Sequence, residues 1–129
     1  MTPPGAVELP LPWPPSVNHY WGERVVRSGA RWVIQKYVAE EGKAYRTAAW
    51  ALLLGCGRPK LFGRLAVEIC AHPPDRRRRD LDNLFKGVLD SLQAAGLYDD
   101  DEQIDDLHIR RRPVHPGGRI VVRAWRIEA

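Results

Sequence analysis

Two cysteines, Cys56 and Cys70, are all that the 129 residues contain. That is too few for a disulfide framework, and the two do not form a Cys-x-x-Cys pair. The four histidines, His19, His72, His108 and His115, show no zinc-ligand spacing and are expected to be structural or surface groups. No uninterrupted apolar run exceeds Ala48–Leu54, well short of the roughly 20 residues that a membrane-spanning helix needs. The opening MTPPGAVELP has no basic patch followed by an apolar stretch, so no secretory signal is expected and the chain reads as cytoplasmic. No repeat, low-complexity tract or linker divides the sequence. At 14.7 kDa it has the length of one domain, expected to span 1–129 and able to bury roughly two-thirds of its unfolded surface.

What is present is charge, and it is segregated. The chain carries 20 basic and 16 acidic side chains, a net of +4. Residues 75–106 hold 5 basic and 10 acidic groups, a local net of −5, which leaves +9 for the remainder. A basic body around an acidic patch attracts a polyanion yet presents carboxylates to it. Those carboxylates repel phosphate unless a cation lies between them. Of the 20 basic residues 16 are arginine, whose planar fork matches phosphate oxygens. This segregation favours a nucleic-acid partner over a surface that is merely solvated.

The elements follow from periodicity. Val7, Leu9, Leu11 and Trp13 alternate with Glu8, Pro10 and Pro12, predicting a strand that its prolines confine to a sheet edge. Pro14-Pro15-Ser16 breaks it, and a polar loop through Asn18, His19 and Tyr20 follows, from which Tyr20 and Trp21 could touch DNA. Arg31–Ile34 is a short strand. From Val38 to Leu54 the pattern is helical, and Gly55-Cys56-Gly57-Arg58-Pro59 stops it. Leu65–Ala71 alternates as a half-buried strand. The clearest element is a helix over Asp82–Ala95, with an apolar stripe of Leu81, Leu84, Val88, Leu89 and Leu92, Asp82 as N-cap and Gly96 as the residue that ends it. Two strands, Leu107–Arg112 and Arg119–Ile127, joined as a hairpin by His115-Pro116-Gly117-Gly118, complete the chain. The expected fold is α+β: a mixed or antiparallel sheet of about four to five strands with two main helices packed on it.

The chemistry concentrates at Arg76-Arg77-Arg78-Arg79-Asp80-Leu81-Asp82-Asn83-Leu84-Phe85-Lys86. If the stretch before the helix is extended, Asp80 and Asp82 point to one side while Leu81 turns inward. Lys86 lies one helical turn beyond Asp82, and Asp90 another turn on. Two carboxylates held close repel each other, and one takes up a proton unless a cation sits between them. Oxygen-only ligands favour Mg²⁺ or Mn²⁺ over zinc. The plainer alternative is a capping aspartate with ion pairs Asp82–Lys86 and Lys86–Asp90 on a solvated face. The cluster Asp99-Asp100-Asp101 after the same helix adds acids, but a 14-residue helix is about 20 Å long. The cluster meets Asp80 only if the loop or the next strand returns. Arg76, Arg77, Arg78 and Arg79, placed directly before the paired carboxylates, suit phosphate positioning.

Together Arg79-Asp80-Leu81-Asp82-Asn83-Leu84-x-Lys86, the helix ending at Gly96 and Asp100-Asp101-Glu102-Gln103 resemble the RusA-type Holliday junction resolvases. So do Leu11-Pro12-Trp13-Pro14-Pro15-Ser16-x-Asn18 and Gly42-Lys43-Ala44-Tyr45-Arg46, so that the resemblance spans nearly the whole chain. It implies a small homodimeric α+β endonuclease, bacterial or phage-encoded, that cuts four-way DNA junctions symmetrically with Mg²⁺ or Mn²⁺. By position, Asp80, Asp82 and Asp101 would be the metal-binding carboxylates, with Asp100 as substitute for Asp101, since Asp99 lengthens the acidic run. Lys86 would be a catalytic residue adding positive charge near the reacting phosphate, and a DNA contact together with Arg76–Arg79. Two further readings share these residues: a non-catalytic junction-binding protein, and a less selective nuclease acting on flaps or forks.

Overall fold

The computed structural model describes residues 3–127; Met1, Thr2, Glu128 and Ala129 of the expected 1–129 domain lie outside the described residues. Along the chain run β1 (Val7–Leu11), α1 (Val17–Tyr20), β2 (Trp21–Ser28), β3 (Arg31–Val38), α2 (Glu40–Gly55), β4 (Leu65–His72), α3 (Asp82–Ala95), β5 (Ile104–Arg111) and β6 (Arg119–Arg126). Four strands form one mixed sheet in the order β1-β6-β4-β5, and β2 and β3 form a separate two-stranded sheet. The α+β expectation holds, with α2 and α3 as the two main helices.

Proline explains the position of β1. Pro10 faces Val121 of β6 in the ladder, and β1 has β6 as its one neighbour among the described strands, the edge position at which a residue without an N–H is tolerated. In the centre, β4 is buried on both faces rather than half-buried as its alternation suggested. Leu65, Val67, Ile69 and Ala71 enter the core, while the small Ala66 and Cys70 are covered on the opposite side. The difference has its source in size: Ala66 stands in register between Asp106 and Trp125, and Cys70 between Arg110 and Val121, so small side chains are flanked by larger ones. Arg123 of β6 lies in register between Glu8 of β1 and Glu68 of β4 and donates to both, at 3.4 and 3.0 Å.

The expected β5–β6 hairpin does not form. β5 pairs parallel with β4, and β6 enters antiparallel on the other side of β4. The reason is α3: a strand, a crossing helix and a second strand allow parallel pairing, which no tight turn permits. The segment 112–118 therefore crosses the end of β4 instead of turning tightly.

The core lies between the sheet and one face of α2 and α3. Tyr45, Ala49 and Leu53 of α2 and Leu84, Val88, Leu89 and Leu92 of α3 pack on Leu9, Leu11, Val67, Ile69, Ile120 and Val122. Gly96 ends α3 in the left-handed region (φ 94°), its N–H bonded to the Gln93 carbonyl and the Leu97 N–H to that of Leu92. The expected polar loop at Asn18–Tyr20 is a single helical turn, α1, whose Tyr20 is fully buried between α2 and α3. Glycine makes room for it. A Cβ at Gly42 would stand 2.4 Å from the Tyr20 carbonyl oxygen, and one at Gly87 would stand 3.0 Å from its ring.

Candidate active site

The loop Asp75–Leu81 carries the basic tract, and Asp75 organises it. Its carboxylate accepts from the backbone N–H of Arg77 at 2.9 Å and from the Arg79 guanidinium at 2.7 Å. The Arg79 hydrogen bond, with help from the Arg77 amide, holds the Asp75 carboxyl down at about 2. Arg79 also lies over the Trp13 ring at 5.8 Å, and its carbonyl accepts from Arg111 at 2.6 Å. The tract is thus divided: Arg79 is tied into the fold, while Arg76, Arg77 and Arg78 are exposed. Arg76 and Arg77 line a shallow basic groove with Arg111 and Arg112.

The start of α3 differs from expectation. Leu81 is already helical (φ −64°, ψ −30°) and occupies the N-cap position without a side-chain cap, so Asp82 falls inside the first turn. There its charge still faces the free amides of the helix end, but it caps nothing. Because Leu81 is helical rather than extended, the alternation that would aim Asp80 and Asp82 together does not apply. Asp80 lines a cleft of about 380 Å³ with Trp13, Ser16, Arg78, Arg79 and Asn83.

A second cleft, of about 520 Å³, lies beside it. Its walls are Phe85, Lys86, Leu89 and Asp90 of α3, Trp21 of β2, Lys36, Tyr37 and Val38 of β3, and Asp101. The acidic run after α3 is sorted by its partners. Asp99 pairs with Lys60 at 2.6 Å. Asp100 caps a 3₁₀ turn over Asp101–Gln103, accepting from the Glu102 N–H at 2.9 Å. Gln103 anchors the same turn by accepting from the amides of Asp99 and Asp100 and donating to the Gly63 carbonyl. Asp101, whose N–H donates to Gln93 of α3 at 2.9 Å, is the aspartate of the run that lines the cleft with Lys86. Partial desolvation, then a hydrogen bond with the Asp100 carboxyl and the charges of Asp100 and Asp90, raise the Asp101 carboxyl above its ordinary value.

Lys86 is released by a network that the spacing of the sequence did not reveal. Asp90, its neighbour one turn on, is held instead by Arg46 of α2 through two parallel hydrogen bonds, and by the Tyr20 hydroxyl, which also bonds Ser91. Neither Asp82–Lys86 nor Lys86–Asp90 forms an ion pair, and among the described residues Lys86 has no acidic partner within 4.0 Å. Tyr20, being buried there, is not a DNA contact; Trp21 lines the cleft. The β2–β3 hairpin, which walls the site, was legible only as Arg31–Ile34. Its other signal was Ser28-Gly29 between two runs rich in valine and aromatics.

Lys86 and Asp101 are thus brought together, whereas Asp80 opens into the adjoining cleft. Among the described residues, no three His, Cys, Asp or Glu side chains lie close enough to hold one metal ion. A model of the endodeoxyribonuclease RusA family matches residues 12–124. The chain belongs to the RusA family. It is 40% identical over 121 residues to the crossover junction endodeoxyribonuclease of Enterobacteria phage HK97, covering 92% of this chain and 93% of that relative. Identity is 37% over 118 residues to the RusA crossover junction endodeoxyribonuclease of Escherichia coli strain K12, covering 87% and 88% of the two chains. The corresponding protein of Enterobacteria phage 82 is 38% identical over 113 residues. The matched RusA region takes in both clefts. No helix among the described residues is long and apolar enough to cross a membrane.

Proposed function

We propose that this RusA-family chain is a structure-selective endodeoxyribonuclease that resolves four-way DNA junctions by paired, symmetric, metal-dependent phosphodiester hydrolysis. The observation that carries the reading is the cleft shared by Lys86 and Asp101, in a chain similar over most of its length to crossover junction endodeoxyribonucleases. Asp80, Asp82 and Asp101 would hold Mg²⁺ or Mn²⁺. Their donor chemistry fits a hard divalent cation, since all are carboxylates, and Asp101 has the further acids Asp100 and Asp90 near it as well as Lys86 across the cleft. When bound, such an ion lowers the pKa of a coordinated water and offsets charge on the phosphate. In the single chain Asp80 and Asp101 line different clefts, so one ion held by all three carboxylates would require them to stand closer than they do here.

Lys86 places an unpaired ammonium where negative charge grows on the phosphate oxygens. The exposed Arg76 and Arg77, with Arg111 and Arg112 beside them, and Arg78 at the Asp80 cleft, give the backbone contacts that orient the strand without reading its sequence. With one such cleft among the described residues a chain makes one cut, so two matched cuts need a two-fold homodimer on a substrate of similar symmetry.

A non-catalytic junction-binding protein is the competing reading, favoured by the open spacing of the three carboxylates. Incubating the protein with a synthetic four-way junction in Mg²⁺, and again in EDTA, separates the two. Symmetric paired incision that EDTA abolishes supports the resolvase; junction binding with no incision in Mg²⁺ or Mn²⁺ supports the binder.

A further inference from the structure

The β2–β3 hairpin is the largest part of the molecule that the proposed chemistry leaves without a task. Its strands pair over eight residues each, from Trp21↔Val38 to Ser28↔Arg31, so it extends roughly 25 Å. Its base walls the Lys86–Asp101 cleft through Trp21, Lys36, Tyr37 and Val38, and its outer end, residues 27–32, is exposed throughout. Trp32 sits there, one pair from the turn and 65% exposed. Burying such a ring would be favourable, yet the fold leaves it in water.

The cations of the hairpin are arranged around its aromatics. The Arg27 guanidinium lies 5.4 Å from the Trp32 ring centroid and is braced by donating to the Gly29 carbonyl at 3.0 Å. Arg24 lies over Tyr37 at 5.1 Å and Lys36 over Trp21 at 4.9 Å. Among the described residues none of Arg24, Arg27, Arg31 and Lys36 has a carboxylate within 4.0 Å, and Glu23 is the one acid on the hairpin. Four cations against one acid disfavour a second copy of the same hairpin as the occupant, because like charges would be brought together. They favour a polyanion with accessible π-faces, which is DNA whose stacking is interrupted.

We propose that the β2–β3 hairpin reads the branch point: Trp32 stacks on a base left exposed where strands exchange, while Arg24, Arg27, Arg31 and Lys36 hold the flanking phosphates. Continuous duplex offers no such base, since each pair is stacked on both sides, so Trp32 contributes selectivity for branched over linear DNA. This rests on the resolvase reading and adds a specificity residue to it.

The test compares wild type with Trp32→Ala, Trp32→Phe and Trp32→Thr, the last keeping strand preference, in EDTA. Affinities are measured for a four-way junction carrying 2-aminopurine at the branch and for a linear duplex. Trp32→Ala and Trp32→Thr should lose roughly 5- to 150-fold in junction affinity, the range of one base–aromatic stack. Duplex affinity should stay within about two-fold, as for an exposed substitution. Trp32→Phe should retain junction preference, and the 2-aminopurine quenching seen with wild type should vanish in Trp32→Ala. An unchanged junction-to-duplex ratio, equal losses on both DNAs, or a shift of Trp32→Ala to a smaller sedimenting species would overturn the proposal. The last would make the hairpin an interface between copies. If wild type prefers and cuts the junction while the variants keep its ratio, only the hairpin's role falls. If wild type shows no preference, the resolvase reading falls with it.

Discussion

Arg46 grips the Asp90 carboxylate with two nearly parallel hydrogen bonds, at 2.8 and 3.0 Å, across the packing of α2 on α3. The consequence is felt one turn away, because an aspartate so engaged does not neutralise Lys86.

Replacing Arg46 by alanine should therefore act twice. It leaves a half-buried carboxylate beside Tyr20 without its cation, at a cost of about 1–2 kcal/mol once partial exposure is allowed for. It also frees Asp90 to attract Lys86. Urea unfolding should show the lower stability, and junction cleavage at saturating enzyme should slow while binding is nearly preserved. Cleavage at the wild-type rate would disconnect this network from the site.

Asp80→Asn and Asp101→Asn should each reduce cleavage of a four-way junction by about 100-fold or more, as expected when a transition-state interaction is removed. Binding should persist or tighten, since a negative charge near phosphate has gone. Gel-shift and cleavage measurements on one junction read both quantities. Either variant cutting at a near wild-type rate in Mg²⁺ would sink the assignment.

The basic tract should respond unevenly. Alanine at Arg76, Arg77 and Arg78 should weaken DNA binding and flatten its salt dependence, by about 0.9 in slope for each phosphate that is no longer neutralised. Arg79→Ala should in addition lower the thermal midpoint, because Arg79 is bonded to Asp75 and packed on Trp13. An unchanged slope in the triple variant would leave those three arginines as solvated charge.

Asp75 supplies a pH signature. Its carboxyl is held at about 2 against an ordinary value of 3.8, so the folded state prefers the ionised form. Its contribution to stability is complete above pH 3.8 and is lost as the pH falls through that value toward 2. Asp75→Asn should accordingly melt below wild type at pH 7, with the gap closing between about pH 4 and pH 2. A gap independent of pH would remove the Arg79 ion pair as its cause.

Much of this protein was legible in its residues taken in order. Apolar period placed α3 at Asp82–Ala95, Gly96 marked its end, and the prolines of β1 put that strand at an edge, because these are local consequences of backbone and side-chain shape. The order Arg-Asp-Leu-Asp-Asn-Leu-x-Lys was enough to indicate the family. Pairing and partners were not legible, since they depend on which surfaces meet. That β5 lies parallel to β4 follows from α3 crossing the sheet, not from any turn residue at 115–118. That Asp82 enters the first turn follows from Leu81 being helical. Asp99, Asp100 and Asp101 are alike in sequence, and only their tertiary partners, Lys60, the Glu102 amide and the cleft, make them differ. A charge acquires its role from what it faces, and that is decided by residues far away along the chain.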